Sequence, residues 1–321
     1  MKNPAAIARK CLLCGHDCQV LLASLGDDRF GAPGAYDIIR CSRCGLEQTW
    51  PRPTERELKN LYEEFYNAGV EPGGAYQSRR ERFLASGWYR LWLQWDGDLT
   101  FHLRRGRGRL LDLGCNEGRG FSLYAANGFT AEGLEINEKA AALARQRGFT
   151  VYTGTLAEFT PSESYDVVVL SNVLEHAFDP VVMLVQVRRL LRPGGEVWIS
   201  CPNAHSLWRR VFGRSWVNWH VPFHLWHFSP RTLRMLLDRA GFRLAEIKSF
   251  TPALWLAQSC CISGGSRAGR ANRLMRSAPV VAGLTLAARL FVLPFFFRAN
   301  RRLRGDCLVA TARMEKSLCG C

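Results

Sequence analysis

Acidic residues are scarce in this chain. Its 321 residues include 28 Asp and Glu against 43 Lys and Arg, a formal net charge of +15 at pH 7. That balance favours anionic partners: nucleic acid, an acidic membrane surface or a phosphorylated substrate. The start, Met1 to Lys10, has no long apolar stretch, so no secretory signal is read there. Without one, the 12 cysteines argue against a disulfide framework and for reduced thiols and metal. A cytoplasmic location is the expectation. The tail, Cys319-Gly-Cys321, lacks a prenylation box and reads as a disordered end. Hydrophobic residues are not lacking: they make up 47% of the chain, enough for one full core with attachments.

Two of the cysteine pairs have a spacing that carries chemistry. Cys11-Leu-Leu-Cys14-Gly15 and Cys41-Ser-Arg-Cys44-Gly45 each form a knuckle that presents two thiolates to one ion. Four soft ligands suit tetrahedral zinc, and the glycine after each pair permits the turn. A closed four-thiolate site has no open position, so its expected role is structural. His16 and Cys18 lie close by as bystanders that can substitute as ligands. The two coincidental cysteine pairs of a metal-free segment are the plain alternative.

A second signal lies at Leu110-Leu111-Asp112-Leu113-Gly114-Cys115-Asn116-Glu117-Gly118. A short apolar stretch reads as a buried strand, glycines break it, and a helix-like segment follows from Phe121 to Ala126. Strand, Gly-punctuated turn and helix together build a nucleotide pocket in a doubly wound sheet. The middle glycine of the dinucleotide fingerprint is missing. Asn116 stands in its place, and Asn tolerates left-handed backbone angles best after glycine. This segment resembles the first motif of class I S-adenosylmethionine-dependent methyltransferases. The resemblance implies that Gly114, Cys115, Asn116 and Gly118 wrap the methionine part of S-adenosyl-L-methionine, with Asp112 orienting it.

Strand and helix signals then alternate over 109–203, which argues for a parallel sheet. Glu135 ends the second strand about 20 residues after the turn, where a carboxylate accepts hydrogen bonds from a ribose diol; Ile136 follows it. A third strand is read at Phe149 to Thr153. In the resembled family the next position often carries an acidic residue for the adenine amine; here Thr155 and Leu156 are expected to contact it. Tyr165 to Leu170 reads as the central strand. It leads into Ser171, Asn172, Glu175 and His176, beyond the carboxyl end of the strand where ligands bind. A helix to Leu191, a stop at Arg192-Pro-Gly-Gly and a strand from Val197 to Ser200 come next. Residues 214–228 hold His220, His224 and His227 among tryptophans. Phe242 to Phe250 and Cys307 to Arg313 read as the last two strands.

The flanks complete the plan. Thr54 and Glu57 fit a helix-opening capping box. Residues 67–76 read as a loop and 77–103 as a helix of arginines and tryptophans, suited to RNA, to a membrane interface or to packing on a core. The segment from Ala278 to Phe297 is apolar, interrupted by Arg289 and Pro294 and bracketed by arginines at 267–276 and 298–304. It suits a monotopic helix or hairpin at an anionic leaflet, or a hairpin packed on the protein. The resembled topology implies that this insertion leaves the sheet at the active-site end.

The expected fold class is therefore α/β: a doubly wound, seven-stranded Rossmann-like methyltransferase sheet with a small N-terminal zinc ribbon. The expected segments are a zinc ribbon at 1–50, a helical linker and lid at 51–105, a methyltransferase core at 106–250 plus 306–315, and the insertion at 251–305. The expected activity is S-adenosylmethionine-dependent O-methylation of a sugar, quinone or lipid-linked small acceptor at a membrane surface. Alternatives are an RNA or tRNA methyltransferase, a less favoured partner class, and a catalytically silent cofactor-binding scaffold. His176 is the first choice of base, beside Glu175, with His220 or His224 second. Glu175 and His176 also resemble the acidic-His pair that binds a divalent ion in quinone-ring O-methyltransferases. Expected ligands are S-adenosyl-L-methionine and structural zinc on Cys11, Cys14, Cys41 and Cys44. The oligomeric state is not readable.

Overall fold

The computed structural model describes residues 9–66, 82–84, 86–265 and 272–314. The chain packs as two units. One comprises Met1–Ala68, Pro202–Leu233 and Thr251–Asp306; the other comprises Gly69–Cys201, Arg234–Phe250 and Cys307–Cys321.

In the first unit the cysteine knuckles border a four-stranded sheet ordered β1-β2-β3-β9. Its strands are β1 (Cys18–Leu25), β2 (Tyr36–Cys41), β3 (Glu47–Trp50) and β9 (Trp226–His227). β9 pairs antiparallel with β3, Glu47 opposite His227. Thr54 caps α1 (Glu55–Leu61) in a reciprocal capping box with Glu57, as its spacing predicts. The insertion forms two helices, α8 (Ala253–Gly265) and α9 (Ala278–Arg301). Among the described residues, no helix is long and apolar enough to cross a membrane.

The second unit is built on a seven-stranded sheet ordered β10-β11-β8-β7-β4-β5-β6. Its strands are β4 (Gly108–Leu113), β5 (Phe129–Glu135), β6 (Val151–Thr153), β7 (Tyr165–Ser171), β8 (Leu191–Pro202), β10 (Phe242–Phe250) and β11 (Cys307–Met314). β4 pairs in parallel with both β5 and β7, so the strand order reverses there. β11 pairs antiparallel with β10. Leu110, Leu111, Val168, Val169 and Leu170 are wholly buried, as strands covered on both faces require. Helices α3 (Phe121–Ala126), α4 (Glu138–Gln146) and α5 (Pro180–Leu190) follow β4, β5 and β7, and α6 (Leu207–Phe212) and α7 (Pro230–Arg239) precede the insertion.

Three local expectations are corrected. Among the described residues, the helix read over 77–103 is broken: 82–84 are helical and α2 spans Gly87–Asp96. It stops at Gly97, which has φ +95° and whose missing Cβ leaves room for the Phe250 ring. Arg192-Pro-Gly-Gly does not end a helix before a separate strand: β8 already begins at Leu191, and the register with β7 shifts between Tyr165 and Val167. The third strand begins at Val151. The expected loop at 67–76, the arginines at 79, 80, 267 and 270, and the Cys319–Cys321 tail lie outside the described residues.

Candidate active site and thiol cluster

In doubly wound sheets ligands bind beyond the carboxyl ends of the strands, where the strand order reverses. The turn after β4 fills that position. Gly114, Asn116 and Gly118 all take left-handed angles, with φ of 69°, 53° and 74°. Asn116 therefore does what its place in the turn demands, and its Oδ1 accepts from the Glu117 N–H at 3.0 Å. Glu135, at the end of β5, accepts the Asn116 N–H at 2.8 Å with Oε2 and the Asn137 N–H at 2.8 Å with Oε1. The carboxylate thus pins the turn to the neighbouring strand. Asn137 in turn caps α4. Ile136, next to Glu135, is 72% exposed.

Asp112 is buried on β4, and its pKa is pushed up to about 8, first by burial and then by the charge of Glu135. Among the described residues, no ion pair neutralises either carboxylate. A buried carboxyl set beside a second one suits a positively charged group. Asn172, at the end of β7, also has left-handed angles, with φ 53°. Its N–H reaches the Ser200 carbonyl at 2.9 Å, and its buried Oδ1 has no hydrogen-bond partner. An orphaned acceptor at the end of β7 and an acidic pair on β4 and β5 fit S-adenosylmethionine, which carries an ammonium and a sulfonium.

Thr155 is exposed, and its hydroxyl and N–H both go to Glu158 Oε2, at 2.7 and 3.1 Å. Glu158 was not among the expected site residues, though Thr155-Leu-Ala-Glu158 has the same spacing as the capping box at Thr54. A second set of residues without a sequence signal forms the segment after α2. Asp98 accepts the His102 and Leu103 N–H groups at 2.9 and 2.6 Å, Ser171 Oγ donates to the Leu99 carbonyl at 3.1 Å, and Tyr89 Oη meets His102 Nδ1 at 2.7 Å.

Glu175 and His176 sit on a short 3₁₀ turn, Leu174–His176, directly after β7. Glu175 is fully buried, and neither carboxylate oxygen has a hydrogen-bond partner. Burial pushes its pKa up to about 8. His176 is half-buried and brings a ring nitrogen within 4.8 Å of a Glu175 oxygen. His220 and His224 belong to the other unit. There both are buried, with ring centroids 4.7 Å apart, and His224 Nδ1 lies 2.8 Å from the Asn218 carbonyl. His227 is held by Thr49, its Nε2 3.2 Å from Oγ1, and burial pushes its pKa down to about 3.

In the same unit as His220, the four knuckle thiols converge. Their sulfurs all lie within 4.8 Å of one another, with Cys11–Cys44 at 3.5 Å and Cys14–Cys41 at 3.4 Å. Tetrahedral Zn–S bonds of about 2.3 Å place sulfurs about 3.8 Å apart, so the cluster has the dimensions of a zinc site. Gly15 and Gly45 have φ of 74° and 80°, the turn geometry their positions after each pair require. Cys18 and His16 stay out of the cluster: Cys18 Sγ accepts from Gln48, and His16 Nδ1 lies against the Cys14 carbonyl. All ten described cysteines are free thiols.

The profile of the Methyltransferase domain family matches residues 76–247, more than half of the chain. The chain belongs to that family. This methyltransferase is 33% identical over 160 residues to a probable S-adenosylmethionine-dependent methyltransferase of Mycolicibacterium smegmatis, covering 49% of this chain and 60% of that protein. It is 32% identical over 177 residues to a ubiquinone biosynthesis O-methyltransferase of Cereibacter sphaeroides, covering 50% of this chain and 72% of that one. Among solved structures, it is similar to a SAM-dependent methyltransferase from Archaeoglobus fulgidus at 23% identity and a TM-score of 0.44, covering 74% of this chain and 99% of that chain. It is a class I S-adenosylmethionine-dependent methyltransferase with a Rossmann-like sheet.

Proposed function

We propose that this methyltransferase moves the methyl group of S-adenosylmethionine to an oxygen of a small acceptor, a sugar, a quinone-type ring or a lipid-linked molecule. The observation that carries the cofactor half is the uncompensated Asp112–Glu135 pair under a left-handed Gly114–Gly118 turn, with the orphaned Asn172 Oδ1 at the end of the central strand. The acceptor half is supported by the several relatives named as ubiquinone biosynthesis O-methyltransferases.

Each residue then has a role. The turn from Gly114 through Cys115 and Asn116 to Gly118 cradles the methionine end, and Asp112 takes its ammonium. Glu135 keeps its backbone bonds and offers its remaining lone pairs to the ribose diol. Ile136 covers the adenine face, while Thr155 and Leu156 meet its edge. Ser171 and Asn172 floor the pocket. The bound cofactor supplies the activated methyl and the leaving group. His176 takes the proton from the acceptor hydroxyl as it attacks, with Glu175 buried beside it on the same 3₁₀ turn. His220 and His224 are the second candidates for that proton. Cys11, Cys14, Cys41 and Cys44 hold a structural zinc in a reducing compartment, where thiols persist.

Methyl transfer to phenols, quinols and lipid-linked glycans, followed by mass spectrometry for a 14-dalton gain, tests this reading. His176→Ala is expected to lower turnover about 10²–10⁴-fold with cofactor affinity unchanged. Methylation only at nitrogen or in RNA overturns the acceptor class. Full turnover in the His176→Ala chain overturns His176 as the base.

A further inference from the structure

α9 has two unlike faces. Its inner face buries Thr285 and Arg289 and sets Ala288 and Val292 against a cluster of Trp208, Ala253 and Leu256. Its other face leaves Leu286, Leu290, Phe291 and Phe297 between 56% and 78% exposed. Isolated apolar residues on a surface are ordinary; four large ones along one helix face are not. Arg298 and Arg301 continue the same arc at the end of the helix, and Arg302 follows, all exposed. Arg273 and Arg276 stand exposed just before its start.

The segment that carries this face is one-signed in charge. From Thr251 to Gly305 the chain has nine arginines and no aspartate or glutamate. A protein partner recognised by an apolar stripe needs no such exclusion of acids from a whole segment. An anionic bilayer does: its headgroups attract the arginines while the acyl boundary receives leucine and phenylalanine. A transmembrane path is set aside, because no described helix is long and apolar enough to cross.

We propose that the outer face of α9 docks on an anionic phospholipid surface, lying in the plane of the headgroups with Leu286, Leu290, Phe291 and Phe297 inserted. The arginines at both ends of the helix hold the headgroup phosphates. Both components are required: the arginines gather the protein to the surface, and the apolar stripe slows its departure.

Flotation of the full-length protein with vesicles tests this. With phosphatidylglycerol and phosphatidylcholine in about equal parts the protein floats, and with phosphatidylcholine alone it stays in solution. Leu290→Ser with Phe291→Ser cuts the partition at least about tenfold, with unchanged circular dichroism and cofactor affinity. Should that pair misfold, Arg298→Ala with Arg301→Ala and Arg302→Ala decides: partition falls and its dependence on salt flattens. A wild-type protein that fails to float with the anionic vesicles overturns the proposal, as does equal flotation of the variants. A dimer that the serine pair converts to monomer, without flotation of wild type, assigns the face to a second copy. An RNA complex lost in the arginine variant, again without flotation, assigns it to RNA. Either result overturns lipid docking.

Discussion

Asp112→Asn isolates the electrostatics of the turn. Asp112 lies buried beside Glu135, and its carboxyl rises from the ordinary 3.8 to about 8. At about 1.4 kcal/mol per pH unit, such a rise sets a ceiling of about 6 kcal/mol on the cost of ionising this site in the cofactor-free protein. The sign follows from proton counting. Between pH 4 and 8 the folded chain holds a proton that the unfolded chain has released, so stability falls as pH rises through that window. Asparagine keeps the shape and removes the charge. The variant, free of cofactor, is expected to exceed wild type by about 2–4 kcal/mol at pH 9, with the gain shrinking by up to about 1.4 kcal/mol for each unit of pH below 8. Cofactor binding moves the other way. A lost hydrogen bond to a charged group, worth about 1.5–3 kcal/mol, weakens affinity roughly ten- to hundredfold. Denaturant unfolding at pH 5, 7 and 9, beside calorimetric titration with S-adenosylmethionine, reads both effects. A gain that is the same at pH 5 and pH 9, or no gain at pH 9, refutes the reasoning.

Further substitutions probe the turn, the sheet and the thiols. Gly114→Val forces a branched side chain into φ 69° with its Cβ 3.0 Å from Val173 Cγ2, and should abolish cofactor binding, whereas Asn116→Gly should preserve it in the same titration. Gly133→Ala, whose Cβ would fall on Cys115 Sγ and 2.7 Å from Phe121 Cζ, should cost about 1–3 kcal/mol by denaturant midpoint, and less when Cys115→Ala accompanies it. Cys41→Ser should reduce zinc from one equivalent to none by plasma emission and lower the first thermal transition, while the wild-type chain keeps its zinc through gel filtration.

The parts of this fold that sequence reveals are those governed by local rules. Left-handed angles at Gly114 and Gly118, tolerance at Asn116 and the box at Thr54 follow from sterics and hydrogen bonding within a few residues. The buried run in β7 follows from having both faces covered. Events set by distant neighbours escape such reading. α2 stops at Gly97 because Phe250, more than 150 residues on, occupies the space. The strand that begins at Leu191 bulges at 192–195: Leu191 faces Tyr165 and Glu196 faces Val167, so β7 pairs on either side of Pro193 and the two glycines but not with them, and Gly194 takes φ 81°. The double anchoring of Glu135 to Asn116 and Asn137 was equally out of reach, although its place at the end of β5 was not.

The pairing of β3 with β9 has a consequence in time. Glu47 and Gln48 wait for Trp226 and His227, which leave the ribosome almost 180 residues later. At synthesis rates of 5–20 residues per second, that is a delay of roughly ten to forty seconds. Throughout it, both cysteine knuckles have emerged and can take the zinc proposed for them, while the strand beside them presents an unpaired edge to every other nascent chain on the same message. Early metal loading would then guard the N-terminal segment until the strand that closes its sheet arrives.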